Sequence, residues 1–106
     1  MSSNELIDML KRVSNELNTL VVDFEGYGDE FYTYFGDVLD VDYRVSRNKT
    51  YKGVCLLLAC GGPTIWLDTY ERKLKGHWGG DEEVLHVNSD VCEMINQYFE
   101  EIYNSF

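Results

Sequence analysis

The chain reads as an α+β domain: a four-stranded, mainly antiparallel sheet with helices packed on one face, in the order α-α-β-β-β-β-α. Three observations point there. Apolar residues recur every three or four positions near both ends of the sequence, the pattern of an amphipathic helix. From Tyr43 to Gly79 the pattern becomes alternating or continuously apolar, as strands require. Turn residues (Asn48, then Gly61, Gly62 and Pro63) separate those runs. A length of 106 residues leaves room for one hydrophobic core, so residues 1–106 are expected to form a single domain.

Taken in order, Leu6, Met9, Leu10, Val13, Leu17 and Leu20 share one face of a first helix, and Ser2 with Glu5 matches a capping box. Gly26 and Gly28 break that helix. Asp29 then caps a short second one whose inner side holds Phe31, Phe35, Val38 and Leu39. A first strand is expected at Tyr43–Arg47 and a second, apolar enough to be buried on both faces, at Tyr51–Cys60. Pro63–Thr69 and Lys73–Gly79 form a hairpin, with Ile65 and Leu67 turned to the core. "GGDEEVLHVNS" reads as a loop with a short extended piece at Val84–Val87. The last helix begins at Ser89, with Asp90 and Glu93 as its capping box and Val91, Ile95, Tyr98, Phe99, Ile102 and Phe106 on one stripe.

Charge narrows the function. The net charge is −10, from nineteen acids and nine bases. Residues 1–42 hold ten acids and two bases, residues 43–75 seven bases and two acids, and residues 76–106 seven acids with no Lys or Arg. Such a chain repels nucleic acid and anionic membrane and attracts a basic protein. Direct DNA binding is therefore not expected; the basic third (Arg44, Arg47, Lys49, Lys52, Arg72, Lys73, Lys75) either neutralises neighbouring acids or guards sheet edges. The sequence shows no long apolar span and no basic-then-apolar leader, and its three cysteines lack CxxC spacing. A cytoplasmic location, with free thiols, is the expectation.

Reactive chemistry finds little support. "CGGPTIW" and "GHWGGDEE" match neither phosphate-loop pattern, and a strand rather than a helix follows the first. Cys60, His77, His86 and Cys92 carry metal-binding atoms, but no two stand at the spacing of a ligand pair on one turn. A Cys–His hydrolase or metal site built from these four is a third reading. The expectation is no enzyme, no catalytic residue, no metal and no cofactor.

The block "GGPTIWLDTYERKLKGHWGGDEE", followed by "VCEMINQYFEEIY", resembles short acidic proteins of phages, plasmids and other mobile elements of Firmicutes. In size, charge and architecture the chain is also similar to anti-CRISPR and antirestriction inhibitors. That likeness implies a nuclease inhibitor whose acids stand in for phosphates, with a CRISPR-type or restriction nuclease as partner. The residues expected to carry it are Asp23, Glu25, Asp29, Glu30, Tyr32, Asp37, Asp40 and Asp42, with Asp81, Glu82 and Glu83 in support. Acids three or four apart on a helix lie about 5–6 Å from each other, comparable with phosphate spacing. The alternative is an immunity or antitoxin-type protein holding a basic toxin by the same electrostatics.

Overall fold

The computed structural model describes the backbone of residues 3–22 and 29–106, and the side chains of residues 5–20 and 33–106. Its elements run α1 (Ser3–Val22), α2 (Asp29–Gly36), β1 (Asp40–Val45), β2 (Tyr51–Ala59), β3 (Thr64–Asp68), β4 (Lys73–Trp78), β5 (Asp81–His86) and α3 (Ser89–Asn104). The fold is α+β, and the sheet is wholly antiparallel. It holds five strands rather than four, ordered β1-β2-β3-β4-β5 as a simple meander.

The fifth strand is "DEEVLH": the extended piece expected at Val84–Val87 begins three residues earlier, at Asp81, and ends at His86. Gly79 and Gly80 form a two-residue hairpin turn between Trp78 and Asp81, with φ +61° at Gly79. Glycine takes that angle without strain, and a positive φ at Gly79 but not at Gly80 is the type II′ arrangement, which matches strand twist. The β1 edge also shifts: the strand starts at Asp40 and ends at Val45, not at Tyr43–Arg47.

Side-chain alternation divides the sheet into two faces. One rung joins Val41, Leu56, Leu67, Leu74 and Leu85 across all five strands, and its three central leucines are fully buried. The helices cover this face, α1 over β4 and β5, α3 over β2. Their buried residues (Leu6, Leu10, Leu17, Val91, Cys92, Ile95, Phe99) keep the expected periodicity and complete the core. Helix α1 crosses close to Gly76, where a Cβ would come within 3.0 Å of Leu6 and Leu10. The next rung, Asp40, Leu57, Trp66, Lys75 and Val84, faces away from the helices. Strand β2 is therefore only half-covered there rather than buried on both faces: Cys55 and Leu57 are intermediate in exposure.

Three smaller expectations are corrected. Leu39 is 57% exposed, not on the inner side of α2, because the helix ends at Gly36 and the chain turns into β1. Asn88, not Asp90, caps α3: its side chain accepts the Asp90 N–H at 2.7 Å, which puts Asp90 inside the first turn. Phe106 is exposed, past the end of α3. Ser2, Gly26, Gly28 and the side chains of Asp29 and Phe31 lie outside the described residues.

Candidate protein-binding surface

Three bases of the middle third, Arg44, Lys73 and Lys75, are brought together around Asp68 and Glu71, with Asp68 on the helix-free face. Arg44 from β1 donates to Asp68 Oδ2 at 3.0 Å, and Lys75 from β4 stands 3.8 Å from the same oxygen. Glu71 pairs with Lys73 and Lys75, each at 3.5 Å, and with Arg44 at 3.9 Å. The Arg44 guanidinium also lies 5.1 Å from the centre of the Tyr70 ring. Three of the seven bases thus neutralise acids within the fold. That arrangement needs the strand register: Arg44 and Asp68 are 24 residues apart, on strands separated by β2.

Those three bases reach two acids only, and the other acids of the described residues have no Lys or Arg in ion-pair range. Among the described residues the ion pairs reach Asp68, Glu71 and Glu82 only, the last with His77 at 3.6 Å. Asp37 follows α2, Asp40 and Asp42 lie on β1, and Asp81, Glu82 and Glu83 lie on β5. The expected helical spacing of Asp37 and Asp40 does not hold, because α2 ends before both. Asp40 and Asp42 instead share one side of a strand, about 7 Å apart. The two acidic groups occupy opposite edges of the sheet, roughly 19 Å apart at four strand spacings. Asp23 and Glu25, with the side chains of Asp29, Glu30 and Tyr32, lie outside the described residues.

Helix α3 supplies acids that the sequence reading left aside. Asp90, Glu93, Glu100 and Glu101 are all exposed, with no base in the helix. They extend over about 16 Å of helix axis. The signal was available, since no Lys or Arg follows Lys75. Tyr34, by contrast, is turned inward against the core beside α1. Burial, and secondarily Glu16, pushes its hydroxyl up to about 12.

The groups considered for reactive chemistry are dispersed. Cys92 is buried on the inner face of α3, and desolvation pushes its thiol up to about 11. Burial also raises Cys55, on the helix-free side. Cys60 is exposed at the start of the β2–β3 turn. His77 and His86 are exposed on the two strands of the second hairpin. Among the described residues no three His, Cys, Asp or Glu side chains are grouped to hold a metal ion. The native protein is therefore expected to react with a thiol reagent such as DTNB rapidly at Cys60 and at least 100-fold more slowly at Cys92, since the thiolate is the reactive form. Counting labelled sites by mass against time, before and after adding denaturant, checks this.

No helix among the described residues is long and apolar enough to cross a membrane. No family model, no curated protein and no solved structure matches this chain.

Proposed function

We propose that this protein is a small inhibitor that binds a basic surface of another protein, the nucleic-acid groove of a bacterial defence nuclease of the CRISPR or restriction type. The observation that carries the reading is the acid of β5 and α3: seven carboxylates with no Lys or Arg on either element, none of them in an ion pair with Lys or Arg among the described residues, and one, Glu82, 3.6 Å from His77. Two of these acids work against the fold. Glu100 and Glu101 sit toward the negative end of the α3 dipole, where a carboxylate costs about 0.3–1 kcal/mol, and the last turn has no base to offset them. Placement that opposes stability suits residues kept for a partner. The likeness to mobile-element inhibitors points the same way.

The test is inhibition of purified CRISPR-type and restriction nucleases, at low and high salt, by the native protein and by two charge-reversed variants. One carries Glu93, Glu100 and Glu101 changed to Lys; the other carries Asp37, Asp40 and Asp42 changed to Lys. Inhibition is expected to weaken steeply with salt, and to fall at least tenfold in one or both variants. Full inhibition by both variants would remove the reading. Inhibition of a co-encoded toxin instead of any nuclease would favour an immunity protein.

A further inference from the structure

The two sheet edges are built differently. On β1 the ladder shifts register between Arg44 and Val45, and the Val41 N–H is taken by the carboxylate of Asp40 at 3.0 Å. A bulge and a blocked donor are the usual means of closing an edge to further strands. On β5 the register runs unbroken from Asp81 to His86. The Val87 N–H bonds to the Arg72 carbonyl at 2.9 Å, so the odd-numbered residues of this strand face β4. The N–H and C=O of Glu82, Val84 and His86 therefore point away from the sheet. Among the described residues no backbone or side-chain hydrogen bond reaches these N–H groups outside the ladder. All three side chains are exposed, Val84 by 50%.

We infer that β5 is a docking edge, and that its occupant is an extended strand of the basic partner; this rests on the reading above. The partner strand would extend the sheet antiparallel to β5, exchanging main-chain hydrogen bonds with Glu82, Val84 and His86. Its side chains are specified by their opposite numbers. Asp81, Glu82 and Glu83 call for three consecutive bases, and Val84 and Leu85 for two apolar residues before them. A second copy of the chain fits this edge less well: antiparallel self-pairing centred on Val84 sets Glu82 opposite His86 but brings no Lys or Arg to any of the six carboxylates.

The probe is the peptide Thr-Ile-Val-Lys-Arg-Lys, titrated at low salt into the full chain and into Val84→Pro. Proline is suited to this position because the Val84 N–H makes no bond within the fold. The parent peptide is expected to bind, and Val84→Pro to bind it at least tenfold more weakly. N-methylation at the first, third and fifth residues should cost tenfold or more, whereas methylation at the second, fourth and sixth should cost less than twofold. That contrast uses the unaltered protein and decides the matter even if Val84→Pro does not fold. Equal binding of both methylated peptides would overturn strand addition and leave the acidic-surface reading standing. Absence of binding by all of them, together with unimpaired nuclease inhibition by both charge-reversed variants, would remove both. A concentration-dependent dimer of the native chain that Val84→Pro dissociates, seen by sedimentation, would assign the edge to a second copy and overturn the proposal.

Discussion

Asp68→Ala is expected to destabilise the protein by about 3 kcal/mol, a large fraction of the roughly 5–15 kcal/mol that holds a domain together. Asp68 is 1% exposed although it sits on the helix-free face, because the stems of Arg44 and Lys75 and the Glu71 side chain cover it. Its two oxygens have separate tasks. Oδ2 takes Arg44 and Lys75, while Oδ1 accepts the N–H groups of Tyr70 and Glu71, each at 3.0 Å. The second task holds the β3–β4 turn, which also contains Arg72 at φ +61°, an angle that a side chain adopts at some cost. Alanine would leave two N–H groups without an acceptor and two cations facing one remaining acid. Arg44 and Lys75 are each about 40% exposed, so water recovers part of the loss; that places the expected value at the lower end for a broken buried pair. Asp68→Asn keeps the turn acceptor but gives up the charge, and should lose about half as much. Urea unfolding of the three proteins measures both steps. A loss below about 0.5 kcal/mol in Asp68→Ala would show that the cluster is only a surface decoration.

The same cluster shows where sequence reading reaches its limit. Helices α1 and α3 were legible because three- and four-residue apolar spacing is a local signal, and β2 to β4 because apolar runs and turn glycines bracket them. Only the Val84–His86 part of strand β5 is legible as extended, for a physical reason. Asp81, Glu82 and Glu83 look like a solvated loop, yet edge strands commonly carry charge, and Gly79-Gly80 between alternating segments was a hairpin signal in its own right. The end of α2 was missed because Val38 and Leu39 continue a helical spacing past Gly36. The candidate surface was less legible still. The acids could be counted, but which of them keep their charge depends on the register that delivers Arg44 and Lys75 to Asp68. The contribution of α3 shows only in the fold, where Glu93 and Glu100 line one cavity with Lys52 and Arg72 but make no ion pair with them.

Adjacent residues on β3 should differ sharply when truncated, because helices cover only one face of the sheet. Leu67 is fully buried in the central rung, between Leu56 and Leu74 and beneath the helical layer. Leu67→Ala removes buried methyl groups and leaves a cavity that strands on both sides prevent from collapsing, at an expected cost of about 3–4 kcal/mol. Trp66 is the larger side chain, yet it points the other way and is 39% exposed, between Leu57 and Lys75. Trp66→Ser should cost about 1 kcal/mol, well under the loss at Leu67 despite the greater number of atoms removed. Denaturant unfolding of the two variants measures the ratio. Comparable losses would mean that Trp66 is covered in solution, which would make the helix-free face an interface between copies. In the predicted case Trp66 fluorescence stays accessible to a quencher, and the helix-facing side of the sheet, Leu67 among it, carries the core.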